Sequence, residues 1–121
     1  MTTKLAENEV RAVARYVGMS AQKVRLVADL VRGKKAKDAL DLLRFTPKAA
    51  AEPVSKVIAS AVANAVENKQ FTETDLVISQ IYVDGAPMRQ WRRFAARGRF
   101  RPLQRKSSHI TVVLQEQVTE E

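Results

Sequence analysis

Residues 20–35 read SAQKVRLVADLVRGKK, and this stretch predicts the first helix. Its apolar residues recur at the spacing of one helical face, at Val24, Val27, Ala28 and Val31. Ser20 is a favourable N-cap residue, and Gly33 is typical of the position where a helix stops. We therefore expect a helix between these two residues, with one buried face.

The segment before this helix predicts a strand. Residues 9–17 alternate between polar or small and apolar side chains, and the strand ends at Gly18. The alternation places four residues on one face, Val10, Ala12, Ala14 and Tyr16.

Two further helices are predicted after the first helix. Residues 37–44 form a short helix with Ala39, Leu40 and Leu43 inward. Thr46-Pro47 then predicts the start of a longer helix that keeps its spacing as far as Lys69. Since Pro53 has no backbone N–H, the helix either bends there or restarts there, and we favour a restart.

After Gln70 the pattern changes to β-branched residues, in 76–83 and again in 110–114. These runs can pair antiparallel and cover the helices. The residues between them, 84–109, are too many for an unstructured loop and predict a two-stranded extension. Its turn can lie at Asp84-Gly85, a usual short-hairpin dipeptide, or near Arg97-Gly98, and the residues alone favour the first.

Composition excludes several classes of function. The chain has 121 residues, no cysteine and one histidine. Disulfides, thiolate zinc sites, thiol nucleophiles and imidazole pairs are therefore excluded, and we expect no metal and no cofactor. No apolar run approaches the roughly 20 residues that span a bilayer, and the N-terminus does not resemble a secretory signal. We expect a cytosolic chain without membrane association.

The positive charge is concentrated in one segment. The chain carries 21 Lys and Arg against 13 Asp and Glu, a net charge of +8. No acidic residue lies between Asp84 and Glu116, and the eight basic residues there account for the whole excess. They are Arg89, Arg92, Arg93, Arg97, Arg99, Arg101, Arg105 and Lys106.

Aromatic residues alternate with these arginines, at Trp91, Phe94 and Phe100. A guanidinium can fork onto phosphate oxygens and stack on a base, and an aromatic ring offers a second stacking surface. The combination indicates RNA binding, with a solvated basic loop as the alternative. Trp91 could also be a buried anchor, but its polar neighbours favour stacking.

A second basic group lies on and just after the first helix, at Lys23, Arg25, Arg32, Lys34 and Lys35. It is either an ordinary solvated helix face, with cations favoured near the helix C-terminus, or an RNA contact.

His109 lies among hydroxyl residues, Ser107, Ser108 and Thr111, which raises the possibility of a nucleophile and its base. Serine catalysis also needs a carboxylate to orient the base and an oxyanion hole. Glu116 is the nearest acid in sequence, and a Gly-rich nucleophile turn is missing. We therefore interpret Ser108 and His109 as structural or RNA-contacting residues, and the chain as a non-enzyme.

Three stretches carry a resemblance to a known family. They are SAQKVRLVADLVRGKK at 20–35, SAVANA at 60–65 and SSHITVV at 107–113. With them the chain, from about Val10 to Leu114, resembles the bacterial large-subunit ribosomal protein L twenty-two family. The resemblance implies an α+β fold, with three helices packed on a small antiparallel sheet and a long extended β-hairpin.

The length of the chain predicts one domain over 1–121. It consists of a globular body at about 9–83 and 110–118 and a basic β-hairpin extension at about 84–109. The family's hairpin tip corresponds to about 92–99, which places Asp84-Gly85 along a strand. The stacking or tunnel-tip residues are then Trp91, Phe94, Ala95, Gly98 and Phe100. Where the family commonly has Pro-Arg-Ala-x-Gly-Arg, this chain reads FAARGR at 94–99.

The function implied is that of a structural constituent of the large ribosomal subunit. Such a protein binds large-subunit rRNA, aids subunit assembly and lines the nascent-polypeptide exit tunnel with its hairpin tip. Its partners are rRNA, neighbouring ribosomal proteins and the nascent polypeptide, in the cytoplasm, and no homo-oligomer is expected. The alternatives are a free-standing nucleic-acid chaperone or architectural nucleic-acid-binding protein, and an RNA-processing enzyme that uses His109.

Overall fold

The computed structural model describes residues 8–86, 89–95 and 99–117. The order of elements is β1 (Glu9–Val17), α1 (Ala21–Val31), α2 (Ala36–Arg44), α3 (Ala51–Asn68), a 3-10 turn (Glu73–Asp75), β2 (Leu76–Gly85), β3 (Arg89–Ala95), β4 (Arg99–Arg105) and β5 (Ser108–Glu116). The fold class is α+β, as predicted.

A three-stranded antiparallel sheet organises the body, in the order β1-β5-β2. The central strand, β5, pairs with β1 through Ala12 opposite Val112 and with β2 through Ile81 opposite the same residue. The predicted antiparallel pairing of the two β-branched runs is confirmed. Both neighbours of β5 precede it in the chain, so the central strand of the sheet is the last one in sequence.

The core lies between the helices and one face of this sheet. Alternate residues of β5 are fully buried on that face: Ser108, Ile110, Val112 and Leu114. The four predicted inward residues of α1 are also fully buried, and α3 contributes a longer apolar face that includes Val54, Ile58 and Ala65. The apolar faces of the helices and of the sheet therefore pack together in one hydrophobic cluster.

The third helix begins later than Thr46-Pro47 indicated. It starts at Ala51, which makes Pro53 its third residue. The amides of the first helical turn have no acceptor within the helix, so proline is tolerated there without a bend. No helical segment lies between α2 and Ala51, so the favoured restart at Pro53 was wrong, and the Thr46 hydroxyl instead donates to the Leu42 carbonyl at the end of α2, at 2.8 Å.

The prediction of a turn at Asp84-Gly85 was wrong. Both residues continue β2, with Gly85 opposite Ser108, and the Ala86 amide donates to the Ser107 carbonyl at 3.0 Å. A tight hairpin turn would give up this pairing with β5. The extension is instead β3 paired with β4, from Arg89 opposite Arg105 to Ala95 opposite Arg99. The predicted tip at about 92–99 includes residues 96–98, which lie outside the described residues.

Tyr16 does not share the inward face of β1. The register shifts between Ala14, which is opposite Ile110, and Val17, which is opposite Ser108. Arg15 and Tyr16 therefore both lie across from one residue, His109, as in a β-bulge. The bulge turns Tyr16 outward, and 64% of the residue is exposed.

Candidate nucleic-acid interface

Two arginines of the second basic group, Arg25 and Arg32, bind the sheet. The Arg25 guanidinium donates from Nε and Nη2 to the Val83 carbonyl, at 3.1 and 2.9 Å. Arg32, the residue after α1, donates from Nη2 to the Ile81 carbonyl at 2.9 Å and pairs through its other nitrogen with Asp29. Both side chains thus reach from the helix to β2.

These contacts cover the outer edge of β2, which has no strand beside it in the described sheet. The Gly33 amide donates to the Ile78 carbonyl at 3.1 Å, and the Ile78 amide donates to the Lys34 carbonyl at 2.9 Å. An open edge would expose unpaired amides and carbonyls to other chains. The end of α1 and its arginines therefore complete the edge, a structural role that sequence reasoning missed.

A sequence signal for this role does exist. Positions 25 and 32 are both Arg and lie seven residues apart, which places them on one side of the helix axis. A guanidinium can place N–H donors from two different nitrogens on one carbonyl, as Arg25 does, whereas an ammonium has a single nitrogen. The choice of Arg at these two positions, against Lys at 23, 34 and 35, marks the residues that bind the sheet.

The remaining cations of this group, Lys23, Lys34 and Lys35, are exposed. Lys23 lines an open groove of about 550 Å³ together with Lys106, which follows β4. The groove is completed by Gly18, Met19, Ser20, Gln22 and Leu26. The groove therefore places Lys23, a predicted RNA contact of the body, and Lys106, a predicted RNA contact of the hairpin extension, on one surface at the N-terminal end of α1.

The hairpin places like charges opposite each other. Arg89 lies opposite Arg105, and Arg93 lies opposite Arg101. Directly opposed cations destabilise an antiparallel pair. The pairing of β3 with β4 therefore gains no stability from these two opposed pairs.

The predicted stacking residues are distributed over both strands of the hairpin. Phe94 lies opposite Phe100, and Trp91 lies opposite Leu103. Arg92 lies opposite Pro102, a pair that combines a charged and an apolar residue. Two predicted site residues, Arg97 and Gly98, lie outside the described residues.

Ser108 and His109 occupy opposite faces of β5. The Ser108 side chain is fully buried on the core face, and its Oγ has no hydrogen-bond partner. His109 lies on the other face, where Nδ1 accepts a hydrogen bond from the Tyr16 amide at 3.0 Å. Of the two predicted contacts, only His109 can reach a ligand at the surface of the body.

The described residues contain no cluster of His, Cys, Asp and Glu suited to a metal ion. Within the same part of the chain, none of the helices combines the length and apolar character needed to cross a membrane.

Comparison with known proteins matches residues 12–115 to the family described as Ribosomal protein L22p/L17e. A similar protein, named large ribosomal subunit protein uL22, comes from Dehalococcoides mccartyi strain CBDB1, with 55% identity over 88% of this chain and 97% of that protein. Proteins of the same name from Desulfitobacterium hafniense strain Y51 and Deinococcus radiodurans are each 48% identical. These two alignments cover 89% and 87% of this chain, and 95% and 78% of the relatives.

Proposed function

The chain belongs to the ribosomal protein L22p/L17e family, and we propose that it is a structural constituent of the large ribosomal subunit that binds large-subunit rRNA. Members of this family are structural proteins of the ribosome and not enzymes, and this chain is one of them. The single observation that carries rRNA binding is the acid-free hairpin, in which arginine lies opposite arginine.

The hairpin is the principal RNA contact. A two-stranded ribbon alone is marginally stable in water, and opposed cations weaken it further. Phosphate oxygens bound by the opposed arginines convert this repulsion into charge-assisted hydrogen bonds. RNA binding then orders the ribbon, and the aromatic residues add stacking on unpaired bases.

The body contributes the second contact. Lys23, Lys34 and Lys35 bind phosphates from the α1 side, and the groove that Lys23 shares with Lys106 joins this surface to the hairpin. Arg25 and Arg32 are exposed as well, but each of them already donates a hydrogen bond to a backbone carbonyl of β2. Ser108 is left out of this contact because its hydroxyl lies inside the core.

The rest of the assignment rests on the family resemblance. The tip at about 92–99 lines the exit tunnel and meets the nascent polypeptide, the body contacts neighbouring ribosomal proteins, and the protein aids assembly of the subunit in the cytoplasm. In this organisation the chain is one domain, whose body at about 9–83 and 110–118 anchors the extension at 84–109.

Co-sedimentation tests the proposal. Tagged protein is expressed in bacteria, and the lysate is centrifuged through sucrose in high salt. We expect the protein in the large-subunit fraction, because a constituent embedded in rRNA resists salt that removes loosely bound proteins. Recovery in the soluble fraction would instead identify a free-standing nucleic-acid chaperone or architectural protein.

A further inference from the structure

Tyr16 holds an unusual conformation. Its φ is +56°, in the left-handed region that side chains larger than glycine, asparagine or aspartate rarely adopt. The residue is also 64% exposed, so core packing does not impose the conformation. A strained residue in a folded protein is a reason to look for a function.

His109 holds this conformation in place. Its Nδ1 accepts the Tyr16 amide hydrogen, and the two rings meet edge to face, with centroids 4.8 Å apart and planes at 88°. Because Nδ1 accepts, the proton of the neutral imidazole is on Nε2. The phenol ring is thus fixed by its own backbone and by a partner ring, while most of the residue stays in solvent.

The surroundings suit an uncharged, flat ligand better than a phosphate. Arg15 precedes Tyr16 on β1, and Asp84 lies opposite His109 on β2, so the flanking charges balance. The helices cover the other face of the sheet, whereas Tyr16 is 64% exposed on this one. A nucleobase is flat and uncharged, and stacks on an aromatic ring with little dependence on its sequence.

The position also lies at the base of the hairpin. His109 is the second residue of β5, and Gly85 pairs with the residue before it. RNA that follows the arginines of β3 and β4 toward the body therefore arrives at this end of the sheet. The Tyr16–His109 pair would meet the same strand of RNA.

We propose that the Tyr16 ring, held by His109, is a stacking platform for one unpaired base of the large-subunit rRNA. The inference rests on the proposed function, since it names a further contact of the same RNA. The ring is exposed and oriented before RNA arrives, so little side-chain entropy is lost when the base stacks.

The test compares variants of the full chain in filter binding to a transcript of bacterial large-subunit rRNA. Tyr16→Gly and Tyr16→Asn remove the ring and keep a residue that accepts positive φ, so the fold is retained. We expect both to bind about tenfold more weakly, with an unchanged salt slope because no phosphate contact is lost. Tyr16→Phe should bind within about twofold of the original chain.

Gln70→Gly is the matched control. Gln70 also has a positive φ, +57°, and is exposed, but it lies after α3 and carries no ring. We expect unchanged binding. Affinity of Tyr16→Gly equal to that of the original chain would overturn the stacking platform and leave the proposed function intact. If the original chain bound rRNA no better than an unrelated RNA of equal length, the proposed function itself would fail.

Discussion

Arg25 and Val83 are joined by a two-pronged hydrogen bond, with Nε and Nη2 of the guanidinium both donating to the same backbone carbonyl. The contact connects α1 to the outermost strand of the sheet. A residue that sequence pattern assigns to RNA therefore also completes the protein's own hydrogen bonding. A weaker binding of RNA on mutation of Arg25 would therefore combine the loss of an RNA contact with a loss of the protein's own stability.

Replacement of Arg25 by lysine should lower the free energy of unfolding by about 1 kcal/mol, because one ammonium cannot reproduce the forked contact. Urea denaturation of the purified protein measures this change. Arg44→Lys, on the exposed side of α2, is the control and should stay within about 0.5 kcal/mol of the original chain. Equal effects at both positions would show that the Val83 contact contributes nothing.

Gly33 should tolerate alanine poorly. Its φ is +81°, and its amide donates to the Ile78 carbonyl, so the chain must keep this conformation to complete the β2 edge. An added Cβ meets no atom within 4 Å, which leaves backbone strain as the whole effect. We expect a loss of about 1–2 kcal/mol in the free energy of unfolding.

The control for Gly33 is Gly18→Ala, since a Cβ at Gly18 also meets nothing within 4 Å. Thermal unfolding followed by circular dichroism should leave this variant close to the original chain. A similar melting temperature for the two alanine variants would contradict the strain at Gly33.

Ser108→Ala should raise stability. The buried Oγ has no partner, so its desolvation is uncompensated, and its removal is expected to add about 1 kcal/mol to the free energy of unfolding. Ser79→Ala is the comparison, because the Ser79 hydroxyl donates to the Val113 carbonyl at 3.1 Å and its loss should not stabilise. A destabilised Ser108→Ala would mean that the hydroxyl has a partner after all.

Salt dependence tests the hairpin. If most of its eight cations meet phosphates, the log–log slope of rRNA binding against salt should approach roughly −5, at about −0.7 per contact. Replacing Arg92, Arg93, Arg97 and Arg99 together by glutamine should flatten the slope by about 3. Filter binding over a range of potassium chloride concentrations gives these values.

The charge-matched control removes four exposed cations of the body: Arg44, Lys48, Lys56 and Lys69. Its net charge equals that of the hairpin variant, so long-range attraction to RNA is lowered to the same extent. We expect its slope to remain close to that of the original chain. Equal flattening by both variants would argue for a diffuse electrostatic attraction and against specific hairpin contacts.

Local patterns predicted the helices and the sheet well, because the core is built on them. The helical spacing of Val24, Val27, Ala28 and Val31 corresponds to four fully buried residues, and the strand at 9–17 has the predicted bounds. The start of α3 was predicted too early. Thr46-Pro47 is typical of a helix start, but in this fold the Thr46 hydroxyl binds the Leu42 carbonyl at the end of α2.

Long-range contacts account for what the sequence did not predict. Gly85 extends β2 because Ser108 pairs with it, although the two lie far apart in sequence. Tyr16 leaves the alternation of β1 because a bulge places it beside His109. Arg25 and Arg32 bind β2 carbonyls that lie 58 and 49 residues away in sequence. A pattern within one short stretch of sequence cannot predict partners that come from another part of the chain.

The central place of β5 in the sheet has a consequence during synthesis. β1 and β2 flank β5 and are made before it, so neither has its sheet partner while the hairpin is still being translated. The helices can form early, but their apolar faces are not fully buried until the sheet has formed. Contacts of such large sequence separation slow folding and prolong exposure of unpaired strands. We therefore expect β1 and β2 to remain without their sheet partner until β5 has been synthesised.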